Sequence, residues 1–79
     1  MNNLEKYNKV FVESLGVAED QLAGLEYTGV EGWDSVGHMN LIACLEDAFD
    51  IMMETDDIID FSSYEKGKEI LAEKYDIKF

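Results

Sequence analysis

Residues 10–65 contain no lysine or arginine and carry fourteen carboxylates, from Glu13 to Glu65. Whatever this span folds into, it folds against its own repulsion. The six lysines, Lys6, Lys9, Lys66, Lys68, Lys74 and Lys78, all lie towards the two ends, and the formal net charge is −12. Salt screens repulsion of this kind. Added salt or millimolar magnesium is therefore expected to raise the melting temperature, and an unchanged melting curve would mean that the carboxylates are already spaced or compensated. A chain so acidic offers no basic face for nucleic acid or an anionic membrane. Its 47% hydrophobic and 11% aromatic content exceeds what a charge-expanded disordered chain carries, so an acidic shell around an apolar core is expected.

At 79 residues the chain has material for one core, and 1–79 reads as a single domain. Cys44 is the sole cysteine, which excludes an internal disulfide and a multi-cysteine zinc site and suits a reducing compartment. The start, MNNLEKYNKVFVESLG, lacks the basic opening and unbroken apolar run of a signal peptide, and no apolar stretch reaches membrane-spanning length. A cytoplasmic monomer is the resulting expectation.

Leu4, Tyr7, Phe11 and Leu15 recur at helical spacing, with Val10 beside them, and Gly16 marks the stop. Residues 16–34 hold four glycines and no sustained period. Their apolar members Val17, Leu22, Leu25, Tyr27, Val30 and Trp33 predict a long loop packed down on the core. A second helix is predicted over 35–49, capped by Asp34, with Val36, Met39, Ile42, Leu45 and Phe49 as its main stripe and Leu41, Cys44 and Ala48 as a second. Thr55 is placed to cap a short third helix, and Ser62 with Glu65 has capping-box spacing for a last one carrying Tyr64, Ile70, Leu71 and Tyr75. The predicted fold is all-α: a four-helix bundle of three longer helices and one short one, with a long first connection.

The segment Gly32-Trp33-Asp34-Ser35-Val36-Gly37-His38-Met39 puts a hydroxyl in the first turn of the central helix. Unpaired N–H groups and the helix dipole favour an anion there, so a phosphate on Ser35 would be well held. His38 is the single histidine, and no second group completes a nucleophilic constellation, so Ser35 reads as a residue that is modified and not as a catalyst. No catalytic or metal-binding residues are assigned. The carboxylates from Glu54 to Asp60 lack the alternation, central glycine and closing glutamate of an EF-hand loop and read as a solvated acidic face.

Asp34-Ser35-Val36 resembles the Asp-Ser-Leu attachment motif of acyl carrier proteins. The length, acidity, helix order and the apolar-then-acidic run Leu41-Ile42-Ala43-Cys44-Leu45-Glu46-Asp47-Ala48-Phe49-Asp50 resemble that family along essentially the whole chain. The resemblance implies that the chain is a non-catalytic carrier with the family's bundle fold. Ser35 would bear a covalent 4'-phosphopantetheine arm, installed from coenzyme A by a phosphopantetheinyl transferase, whose thiol holds acyl intermediates as thioesters in fatty-acid or specialised acyl or polyketide-type biosynthesis. It further implies that Asp34 assists the transferase and that Val36 meets partners beside the attachment point. His38 joins the cofactor-binding set as a phosphate contact, with an ordinary exposed helix residue as the alternative reading.

Acyl-loading, acyl-transfer or synthase enzymes with basic patches are the implied partners, and Glu46, Asp47, Asp50, Glu54, Asp56 and Asp57 with Val36 are the partner-binding candidates. Gly37 and Asn40 stand where carriers of general fatty-acid synthesis have acidic residues. The rival from another class is an unmodified acidic helical adaptor that docks a basic partner.

Overall fold

The computed structural model of the protein describes residues 2–79. Among them the chain forms four α-helices: α1 (Asn3–Leu15), α2 (Ser35–Phe49), α3 (Thr55–Asp60) and α4 (Tyr64–Lys74). The chain measures about 29 × 27 × 20 Å along its principal axes. A 3-10 turn at Glu19–Gln21 interrupts the long connection between α1 and α2. No helix of the described residues is long and apolar enough to cross a membrane.

Local chemistry sets the helix ends. Asn2 accepts from Glu5 N–H to start α1, and Gly16 ends it at φ 69°, a left-handed conformation that costs glycine little, with its N–H on Val12 O. Asp34 Oδ1 accepts from Gly37 N–H at 2.8 Å to start α2. Asp50 ends α2 at φ 54°.

Two predicted caps shift. Thr55 is the first residue of α3 and not its cap: Glu54 holds that position, and its side chain makes no capping bond. Ser63, not Ser62, caps α4, its Oγ accepting from Lys66 N–H at 2.9 Å. An isolated antiparallel bridge between Glu26 and Ser63 selects the later serine. Tyr27 N–H donates to Ser62 O and Tyr64 N–H to Leu25 O, both at 2.9 Å, which ties the long loop to the start of α4.

The core is aromatic. Tyr7, Phe11, Trp33 and Phe61 are all but sealed from solvent, and Tyr64 is buried beside them. Phe11 meets Trp33 edge-on at 5.5 Å and lies stacked against Phe61 at 6.1 Å. Such pairs contribute about 0.5–1.5 kcal/mol each beyond their buried area. Tyr7 donates its hydroxyl to Tyr64 O at 2.7 Å, and burial pushes its ionisation far above the ordinary tyrosine value. The long loop is packed down as expected, with Val17, Leu22, Leu25 and Trp33 buried.

The face of α2 differs from expectation. Leu41, Ile42 and Leu45 are its buried residues, whereas Val36 is 77% and Met39 55% exposed. The predicted main stripe therefore holds only from Ile42 onward. The first turn of α2 projects beyond the core.

Glycine makes the close approaches possible. A β-carbon at Gly37 would overlap the carbonyl oxygen of Gly32, and one at Gly32 would sit 2.6 Å from Leu15 O. The end of α1, the loop and the start of α2 are thus in backbone contact through two residues that lack side chains. Gly67 plays a similar part in α4, where Tyr7 Oη and the Phe61 ring fill the space a β-carbon would need.

Candidate functional site

Ser35 is the first residue of α2, and its side chain is exposed. The cap fixes its setting. Asp34 uses Oδ1 for Gly37 N–H, and its carbonyl accepts from His38 N–H at 2.7 Å. The N–H groups of Ser35 and Val36 precede the first intrahelical bond and are directed out of the helix end, where the dipole is positive. An anion esterified to Ser35 would meet these two donors.

A cleft of about 350 Å³ opens beside Ser35, between α2 and α3. Tyr27, His38, Met39, Ile58, Ile59 and Phe61 form most of it, with Ser35 and Ser62 completing the wall. It is largely apolar. Ile59, 71% exposed, and Met39 share this cleft with Ser35, and Val36, the next residue along the chain, is exposed as well. A separate groove of about 520 Å³ lies between α1 and α2, walled in part by Lys6, Lys9, Ser14 and Cys44, and Ser35 takes no part in it. Among the described residues no three of His, Cys, Asp and Glu converge to hold a metal ion.

His38 departs from both sequence readings. It is half-buried, and both ring nitrogens are engaged inside the protein: Trp33 Nε1–H donates to Nδ1 at 2.9 Å, and Nε2 lies 2.8 Å from Ile58 O. Because an indole N–H only donates and a carbonyl only accepts, these partners fix a neutral ring protonated on Nε2. With neither nitrogen left over, His38 is withdrawn as a phosphate contact. It links the loop, α2 and α3 instead. The Tyr27 ring stands edge-on to it at 5.3 Å, and the Trp33 ring lies nearly parallel at 6.2 Å.

The acidic face also needs correction. Asp57 is only 2% exposed: Lys74 Nζ donates to its Oδ1 at 2.6 Å and the Tyr75 hydroxyl to its Oδ2 at 2.7 Å. The bond from Lys74, then that from Tyr75, holds its carboxyl below the usual carboxylate range against the opposing effect of burial. The Lys74 ammonium is raised correspondingly, first by its hydrogen bond to Asp57. Tyr75 Oη also accepts from Glu54 N–H at 2.8 Å, so the start of α3 is fastened to the end of α4. Asp57 is a clasp and not part of a partner-facing surface.

Glu46 is half-committed, its Oε2 accepting from Met53 N–H at 2.8 Å across the turn after α2. Asp47, Asp50, Glu54, Asp56 and Asp60 stand exposed. No family model, curated protein or solved structure matches the chain.

The residues that sequence reasoning missed are the cleft walls Tyr27, Ile58, Ile59 and Phe61 and the two clasps, Trp33–His38–Ile58 and Asp57–Lys74–Tyr75. Trp33 and His38, five residues apart across a helix start, carried the single local signal. The others meet only through tertiary structure.

Proposed function

We propose that the protein is an acyl carrier whose Ser35 bears a 4'-phosphopantetheine arm, and that it presents tethered acyl groups to partner enzymes without catalysing a reaction itself. The observation that carries this reading is an exposed hydroxyl on the first residue of a capped, 15-residue helix, opening onto an apolar cleft. The residues fit the group. A phosphodiester on Ser35 would face the Ser35 and Val36 N–H donors, in one of the few places where a chain of net charge −12 welcomes an anion. When attached, the arm supplies a terminal thiol that holds acyl groups as thioesters.

The remaining work belongs to the chain. Asp34 fixes the helix start and so the direction in which Ser35 projects. The cleft walls offer apolar shelter to the tethered group. Val36, Met39 and Ile59 give a partner enzyme apolar contact, and Asp56 and Asp60, both exposed and on α3, surround it with negative charge suited to a basic patch. In this reading the bundle is of the acyl-carrier type.

Incubation with coenzyme A and a promiscuous phosphopantetheinyl transferase is expected to add one phosphopantetheine to the intact mass, and Ser35→Ala to add none. An equal gain by Ser35→Ala would sink the proposal. The adaptor reading draws on the same exposed apolar and acidic surface. It predicts partner capture indifferent to Ser35→Ala, whereas the carrier reading predicts capture that depends on the arm.

A further inference from the structure

We infer that His38 is an acid-sensitive latch: a proton taken from solvent onto Nδ1 breaks the Trp33–His38 bond and frees α3 to open the cleft beside Ser35. Three observations combine. Nδ1 is the acceptor for Trp33 Nε1–H at 2.9 Å, so a proton there sets two N–H groups against each other. Trp33 is fully buried, its ring meeting Phe11 at 5.5 Å and Phe61 at 6.5 Å edge-on, and it has nowhere to retreat.

The half-buried imidazole is the group that yields. Its other nitrogen is bonded to Ile58 O, in the middle of the six-residue α3. When the ring moves, either Ile58 follows it or that carbonyl loses its donor, and in both cases α3 leaves its place against α2. A helix this short holds little structure of its own.

No carboxylate is hydrogen-bonded to the ring to stabilise the added charge. Tyr27 is the titratable side chain in contact with the ring. The Asp34 carboxylate caps Gly37, the Asp57 carboxylate faces Lys74 and Tyr75, and Asp60 and Glu31 stand exposed. The Asp57 clasp and the buried Phe61 still hold α3 on either side, so the opening is an outward shift of Ile58 and Ile59 between them. The inference concerns α3 and the cleft alone and holds whether or not Ser35 is modified.

Imidazole 15N shifts and amide hydrogen exchange of the unmodified protein, followed as the pH is lowered from about 7.5 until the shifts report the doubly protonated ring, test the latch. At the upper end the ring is expected to be the neutral form protonated on Nε2. As it takes up its second proton, the α3 amides of Ile58 and Phe61 are expected to lose about tenfold or more in protection after correction for intrinsic rates. His38→Gln, whose side-chain amide can accept from Trp33 and donate to Ile58 O but does not titrate, is expected to keep protection constant over the same range. Trp33→Phe, which removes the opposing donor, is expected to blunt the response. The latch is overturned by an Nδ1-protonated neutral ring, by α3 protection that does not follow the imidazole titration, or by a His38→Gln chain that opens in acid like the original. If neither variant folds, the shifts and exchange of the original chain still decide.

Discussion

Gly37→Ala is expected to lower the unfolding free energy by about 2–3 kcal/mol in urea denaturation, although alanine is the better helix former by about 1 kcal/mol. The sign is the informative part. In an exposed helix position the substitution would stabilise, but here the new methyl group meets the Gly32 carbonyl oxygen, and Gly32 is itself backed by Leu15 O. Neither neighbour is a flexible side chain that can turn away. Relief requires the loop to move, and that loop carries Trp33 and Asp34. A gain in stability would mean that the close approach between the loop and α2 is absent. The same contact accounts for a neutral residue at this place: an acidic side chain would need the β-carbon that the loop excludes.

Asp57→Asn is expected to cost about 2 kcal/mol near neutral pH, because a buried group that accepts two hydrogen bonds, one from an ammonium, loses its charge. The pH dependence checks the cause. Asp57 has a folded-state pKa below its unfolded value, so its contribution is complete above the ordinary carboxylate range, near pH 3.9, and is lost as the pH falls through the lower folded value. The stability gap between the original chain and Asp57→Asn should therefore be constant from neutral pH down to about 4 and close below it. Comparing the two chains isolates this carboxylate, since protonating the other acids relieves repulsion in both. A gap that persists in strong acid would trace the loss to packing instead of charge.

How far these features could be read in the sequence depended on how local their causes are. The ends of α1 and α2 were legible because Gly16 and Asp34 act on N–H and carbonyl groups within the same turn. The buried side of α2 was not. Apolar residues lie nearly all round that helix, and the aromatic core, built from α1, α4 and two loops, decides that Leu41 is sealed and Val36 is not.

Ser62 was preferred as a cap because Glu65 lies three residues on, but Ser63 takes that place, held there by its bridge to Glu26. Asp57 looked like its neighbours Asp56 and Asp60, and only the fold brings Lys74 and Tyr75 to it. Ser35 and Asp34 were found from the sequence because a helix start and its cap are a local motif. The cleft that gives Ser35 its setting depends on Ile58 and Phe61, more than twenty residues further on.

The central claim is that Ser35 is a point of attachment, and the most direct measurement is the mass of the peptide that contains it. The chain is produced together with a phosphopantetheinyl transferase, digested, and its fragments read by tandem mass spectrometry. The carrier account predicts that the fragment spanning Trp33 to Met39 bears phosphopantetheine, with fragment ions that assign it to Ser35. An unmodified fragment, recovered while a control carrier in the same cells is fully converted, would contradict it.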